Sequence, residues 1–197
     1  MSGEETQAAG AEGVLRAKLW LESTTRANVQ WINPEPLAVA KLTFPWRDKG
    51  AFSFDLGGVL LGGDLHNQEF LGESKYYKSA EDQGSHYRSF LGRCYRAYEL
   101  RPERCDHFLW ITWSPFLVTK WDELRTPTYV REAVLGHRAR TLGESDMSTA
   151  GALVSDDKCK DIASKVWLLF LTDKQEKLCP TREHLAEIRR YNTLKGV

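Results

Sequence analysis

Two β-prone runs, AFSFDLGGVLL (51–61) and EFLGESKYYKS (69–79), flank the turn-rich segment GGDLHNQ (62–68). This arrangement limits the fold more than any other feature of the chain. Gly, Asp and Asn clustered between two such runs predict a β-hairpin. Directly after it, SHYRSFLGRCYRAYEL (85–100) carries Tyr87, Phe90, Leu91, Cys94, Tyr95 and Tyr98 at three- and four-residue spacing. That spacing gives one apolar helical face, with Ser85 as the expected N-cap and Pro102 just beyond the end. HFLWITWSPF (107–116) and KVWLLFLTD (165–173) are nearly continuous apolar runs, as expected of strands buried on both faces.

The remaining segments fill in around this unit. Residues 11–21 place Val14, Leu15, Ala17, Leu19 and Trp20 in a breaker-free stretch and predict an amphipathic helix, preceded by a tail over residues 1–10. Strands are expected over 28–32 and 38–44, the latter ended by Pro45. A helix is expected over 121–142 with an interruption at Thr126-Pro127, a loop over 143–157, and a last helix over 181–194 capped by Thr181. The order of elements suits a mixed α/β sheet with helices on its faces. At 197 residues the chain is expected to form one domain, with a core over 11–116 and a C-terminal elaboration over 117–197.

The chemistry concentrates at the hairpin. Period-two alternation places Glu73 and Lys75 on one face of their strand. It also places Phe52, Phe54 and Leu56 on one face of the preceding strand and Ser53, Asp55 and Gly57 on the other. Closing the hairpin brings Asp55 within reach of Glu73 and Lys75. Two carboxylates held together repel and favour a cation between them. Mg²⁺ meets that need with carboxylate, phosphate and water oxygens, and the Ser74 backbone carbonyl is a candidate further ligand. Lys75 is then placed to orient or deprotonate a metal-activated water, or to stabilise charge on a phosphate. The simpler alternative is a cross-strand ion pair. A second short match, Asp156-Asp157-Lys158, lies in a polar stretch and reads as surface charge.

Residues 10–112, through GAEGVLRAKLWLE, FDLGGVL, FLGESKYY, SHYRSFLGRCYRAY and HFLWIT, resemble the PD-(D/E)xK, or restriction-endonuclease-like, nuclease superfamily. The resemblance implies an αβββαβ core with a mixed central sheet flanked by helices. It implies Mg²⁺-dependent cleavage of phosphodiester bonds, with Mn²⁺ able to substitute and DNA the expected substrate, in restriction, defence or repair. Carried over by position, Asp55 is the motif aspartate, Glu73 the motif acid and Lys75 the motif lysine. Glu12 corresponds to an additional acid of the first helix. Phe54 stands where the motif name has proline, Gly72 stands where an apolar residue is usual, and nothing after residue 115 matches. A non-catalytic module of the same fold, binding nucleic acid or a protein, is the rival expectation.

Other features narrow the range of functions. Lys plus Arg and Asp plus Glu number 27 each, so no overall basic excess advertises nucleic-acid binding, although a local basic groove remains compatible with neutrality. His86, Arg88, Arg93 and Arg96 on the helix after the motif are candidate phosphate contacts, and Gln83 is a candidate lining residue. Asp64 is expected to be a turn residue. The four cysteines form no CxxC pair, and Cys105 with His107 lacks the doubled ligand pattern of a zinc site. No apolar leader, transmembrane-length run, Walker A loop or G-x-S-x-G elbow is present. A reduced, cytoplasmic protein is expected, and cleavage of both strands of a duplex would suit a homodimer.

Overall fold

The computed structural model describes residues 3–76 and 82–196, with side chains from Gly10 onward. A five-stranded sheet forms its centre, built from β1 (Ala27–Ile32), β4 (Leu56–Leu60), β5 (Glu69–Lys75), β6 (His107–Thr112) and β7 (Val166–Phe170) in that spatial order. The first three strands pair antiparallel, and β5, β6 and β7 pair parallel. The helix α3 (Gln83–Leu100) carries the chain from β5 to β6. From β6 to β7 the chain runs through α4 (Pro127–Gly136), α5 (Arg138–Leu142), α6 (Met147–Leu153) and α7 (Asp156–Lys165). Parallel neighbours require such crossovers, whereas β4 and β5 need only a short connection. A short ribbon of β2 (Thr43–Pro45) and β3 (Ala51–Ser53) stands apart from the sheet.

Each face of the sheet has its own core. On one face, Leu71, Phe108 and Trp110 pack with Phe54, Tyr87, Phe90, Val130 and Ile162. Aromatic rings link this layer: Tyr87 and Phe90 each lie 5.3 Å from Trp110, and Phe54 meets Phe90 edge-on at 6.2 Å. Tyr87 donates its hydroxyl proton to the Leu124 carbonyl at 2.8 Å, so its polar end is satisfied inside the layer. On the other face, Val14, Ala17 and Leu21 of α1 (Gly3–Thr24) cover Val29, Leu56, Phe70, Leu109 and Ile111. Residues after 117 complete the first of these cores, so the elaboration and the hairpin share one hydrophobic interior.

Several expectations are corrected. Residues 3–10 continue α1 and are not a separate tail. Residues 36–42 are helical, not extended: α2 (Pro36–Leu42) has Pro36 in its first turn and buries Ala38 and Leu42, four residues apart, on one side. The run 51–61 is broken into β3 and β4 at Phe54-Asp55. Helix α3 begins at Gln83 after Asp82, whose φ of 60° is left-handed, so Ser85 is not its N-cap. The stretch 143–157 is not a plain loop. Asp146 accepts from the Thr149 N–H and Ser155 from the Lys158 N–H, and these caps start α6 and α7. Strand β7 is an edge strand and not a doubly buried one, with Trp167 37% exposed. The last helix, α9 (Arg182–Lys195), is capped by Thr181 as expected and follows the short α8 (Asp173–Glu176). Residues 77–79 of the second β-prone run lie outside the described residues, and β5 ends at Lys75.

Two glycines set how closely the antiparallel strands approach. The register of β1 against β4 shifts between Val29 and Trp31, and a Cβ on Gly58 would stand 2.0 Å from the Asn28 carbonyl oxygen. A Cβ on Gly72 would meet the Leu56 Cδ1 at 2.9 Å, so a larger residue fits there only if that side chain moves. Backbone cannot move aside as a leucine side chain can. Gly58→Ala is expected to cost about 3 kcal/mol or more and Gly72→Ala about 1–2 kcal/mol. Urea unfolding of the two variants measures the difference, and equal losses would contradict this account of the irregular β1–β4 pairing.

Candidate functional site

The candidate site lies where β5 ends and β4 begins. Leu56 pairs with Gly72 in the antiparallel register, so Asp55, one residue before β4, stands level with Glu73. The backbone of Asp55 is fixed from both sides: its N–H donates to the Gly72 carbonyl at 2.9 Å, and its carbonyl accepts from the Asn33 N–H at 2.9 Å. The Phe54 N–H donates to Leu42 at 3.0 Å, away from the β4–β5 ladder. This break defeats strict alternation. Phe54 packs on the α3 face, whereas Leu56 packs on the α1 face. The predicted grouping of Phe52, Phe54 and Leu56 on one face therefore fails at Asp55, which is left at the end of the sheet beside Glu73 and Lys75.

Glu73 is 2% exposed, yet it carries three charged contacts. Arg93 Nη1 donates to Oε2 at 2.9 Å, Arg93 Nη2 donates to Oε1 at 3.0 Å, and Lys75 Nζ lies 2.6 Å from Oε1. The guanidinium thus forks the carboxylate along both edges of its charge. Asp55 Oδ2 accepts from the Ser74 N–H at 2.9 Å, which ties the aspartate to the backbone between Glu73 and Lys75. Burial, followed by the charge of Glu73, pushes the Asp55 carboxyl up to about 7; Lys75, the Ser74 N–H and Arg93 pull the other way but more weakly. Burial and then the charge of Lys75 hold His86 below the usual histidine range, although Asp82 and Glu73 oppose them.

The start of α3 braces the same strand ends. Gln83 is buried, and Thr112 Oγ1 lies 2.9 Å from its Oε1 and 3.2 Å from the Lys75 carbonyl, with one proton to give to either. The Gln83 Nε2 is buried without a partner among the described residues. On the opposite face, α1 comes close at Gly13, where a Cβ would stand 2.6 Å from the Tyr76 Cβ and 3.3 Å from the Ser74 Oγ. In the β5–β6 ladder Ser74 pairs with Ile111.

The remaining predicted residues are distributed differently. Arg93 is committed to Glu73 and only 14% exposed in its side chain, so its present role is internal. Arg96 is buried, donating to the Pro45 carbonyl at 3.1 Å and to Glu99 at 2.6 Å, and it joins α3 to the β2–β3 ribbon. Arg88 is exposed and sits 5.5 Å from the ring centroid of Tyr129. His86 is exposed near the site. Glu12 pairs with Arg16 at 3.6 Å; Arg16 also binds Asp173 and Glu176 and covers the Tyr76 ring, so Glu12 belongs to a network joining α1 to α8. Asp64 lies in the exposed turn between β4 and β5, and Asp156 opens α7 and accepts from Arg131. Among the described residues no group of three or more His, Cys, Asp or Glu side chains is disposed to hold a metal. The bond that reading along the chain missed is Arg93 to Glu73. Its signal was the placement of Arg93 three residues after Phe90, next to the apolar face of α3.

The raised carboxyl of Asp55 has a consequence for stability. In the unfolded chain Asp55 loses its proton near the ordinary aspartate value of about 3.9, but in the folded protein it does so only near 7. Below about pH 4 both states hold the proton and no penalty exists; as pH rises through 7 the penalty becomes complete. Asp55→Asn is therefore expected to be more stable than the parent protein at pH 8, by about 2–4 kcal/mol without divalent cations, and indistinguishable from it near pH 4. Denaturant unfolding across that range checks this, and a difference that does not change with pH would refute it.

No family model matches the chain, and no curated protein matches it. Among solved structures it is similar to the Moraxella osloensis Cap4 SAVED/CARF-domain containing receptor, with 10% sequence identity and a TM-score of 0.37. The likeness covers 85% of this chain and 33% of that one, so the chain spans about a third of that protein's length.

Proposed function

We propose that the protein is a metal-dependent nuclease of the PD-(D/E)xK type that hydrolyses phosphodiester bonds, with DNA as substrate. One observation carries the reading: Asp55, hydrogen-bonded to the backbone between Glu73 and Lys75, stands level with Glu73 at the end of the sheet, and Lys75 Nζ lies 2.6 Å from that second carboxylate. The element order supports it. Helix α1, the antiparallel strands β1, β4 and β5, helix α3 and the parallel strand β6 follow the αβββαβ sequence of the superfamily, with α2, β2 and β3 inserted after β1.

The donor set fits a magnesium ion. Two carboxylates suit a cation that keeps several waters and completes its shell with substrate phosphate. The raised proton affinity of Asp55, set first by burial and then by the charge of Glu73, marks a carboxylate whose ionised form a cation would stabilise. When bound, the metal would supply an activated water and neutralise charge on the scissile phosphate. Asp55 and Glu73 would hold it, with the Ser74 carbonyl as a further candidate ligand. Lys75, on the Glu73 face and at the strand's end, would orient the attacking water or take its proton. His86, exposed and within the field of Lys75 and Glu73, would meet phosphate at the rim.

A second reading has its own support. Arg93 and Lys75 already satisfy Glu73, so the four charges balance without a cation, as in a binding module that keeps the fold but not the chemistry. Incubation with plasmid, linear duplex, single-stranded DNA and RNA, with and without Mg²⁺ or Mn²⁺, separates the two. Metal-dependent cleavage is expected, reduced by about a hundredfold or more in Asp55→Ala and Lys75→Ala, within the range of removing one acid–base group. Cleavage that survives both substitutions would sink the assignment, and binding without cleavage of any substrate would favour the module. No described helix is long and apolar enough to cross a membrane.

A further inference from the structure

The pairing of Arg93 with Glu73 raises a question that the nuclease reading leaves open: how a cation reaches a carboxylate whose two oxygens are already held. We propose that Arg93 is the resident counter-ion of this site, occupying Glu73 in the absence of metal and competing with a divalent cation for it, so that Arg93 sets the metal affinity. The inference rests on the metal site of the proposed nuclease.

Geometry gives the first argument. Glu73 is 2% exposed, so solvent contributes little to its stabilisation. A carboxylate offers roughly four lone-pair positions. Arg93 takes one on each oxygen and Lys75 takes another on Oε1. One position is left, on Oε2 beside the Arg93 guanidinium, so a metal ion that takes Glu73 through both oxygens must displace a donor. Lys75 carries its charge on a flexible stem at the end of β5, whereas Arg93 approaches from α3 and grips both oxygens at once. The fork is the larger obstacle.

Charge gives the second. Asp55 and Glu73 against Lys75 and Arg93 sum to zero when all are ionised. A divalent cation entering that set faces two positive groups within a few ångströms of its ligand, in a place where water screens poorly. Withdrawal of the guanidinium removes one of them.

Arg93 is also not fully satisfied where it stands. Its Nε is buried without a partner among the described residues. Its Nη1 already leans toward a different acceptor, the Ser53 carbonyl, at 3.4 Å. That oxygen belongs to β3, on the far side of the Phe54-Asp55 break from the site. Rotation toward Ser53 would leave Glu73 to the metal and keep the guanidinium bonded. Arg93 is thus a positioning residue, acting through Glu73.

Calorimetric titration of the full chain with Mn²⁺ alone tests this in the parent protein, Arg93→Met and Arg93→Lys. Arg93→Met keeps the length and apolar stem without the charge, and it is expected to bind Mn²⁺ about tenfold more tightly or better, with Arg93→Lys between it and the parent. A merely structural arginine would lower stability and leave the affinity unchanged or weaker. In the parent protein, the slowly rotating Arg93 side-chain N–H resonances are expected to broaden or move as Mg²⁺ saturates the site. That measurement decides the matter if Arg93→Met fails to fold; unchanged resonances at saturation would overturn the proposal. Equal Mn²⁺ affinity in parent and Arg93→Met would overturn it while leaving the nuclease reading intact. Tighter binding by Arg93→Met in a protein that cuts nothing would uphold it without that reading. Absence of Mn²⁺ binding in every form would overturn it, with the nuclease reading then judged on cleavage alone.

Discussion

A carboxylate almost sealed from water, near the end of a central strand, is tolerable only with strong partners, and Glu73 governs this structure through that requirement. Burial of an isolated charge is costly enough that the group would take up a proton instead. Here Arg93 forks it and Lys75 closes against it. Removing one partner from such a buried pair costs about 3–5 kcal/mol, mostly because the other charge is left stranded. Helix α3 must therefore lie at one depth and rotation over β5, and the aromatic layer of Tyr87, Phe90 and Trp110 fixes that placement from the apolar side.

Asp55 is the complement of this arrangement. Among the described residues it has no salt-bridge partner of its own and accepts from one backbone N–H, and the charge of Glu73 adds to the effect of burial. The sheet thus presents one carboxylate held in ion pairs and one whose proton affinity is raised, first by burial. The break between β3 and β4 makes the difference possible. A continuous strand would have carried Phe54 and Asp55 to opposite faces, and the break lets Phe54 fill the aromatic core while Asp55 stays beside Glu73.

The C-terminal region belongs to the same physical unit. Helices α4 and α7 pack on α3, and β7 extends the sheet beyond β6. Arg16 anchors α8 to α1 and covers Tyr76, the residue after Lys75, so the end of β5 is held from both faces. Glu12, drawn into that anchor, has a structural partner nearby in its own helix.

The sequence alone determined what depends on local periodicity and local chemistry. It marked the hairpin, the apolar face of α3, the strands at β6 and β7, the Thr181 cap, and the set of Asp55, Glu73 and Lys75, although Asp55 lies just before β4 and not within a strand. Period-two and 3.6-residue repeats reach no further than one element, and where a break or cap lay within a run the reading failed: α2 passed for a strand, α6 and the start of α7 for a loop. Tertiary structure alone decided the partnership of Arg93 with Glu73, 20 positions apart in the chain. It also decided the edge position of β7 and the burial of Arg96. An arginine on a helix reads the same in sequence whether it faces water or a buried carboxylate. Only the order of strands and the depth at which α3 crosses them bring its guanidinium to Glu73.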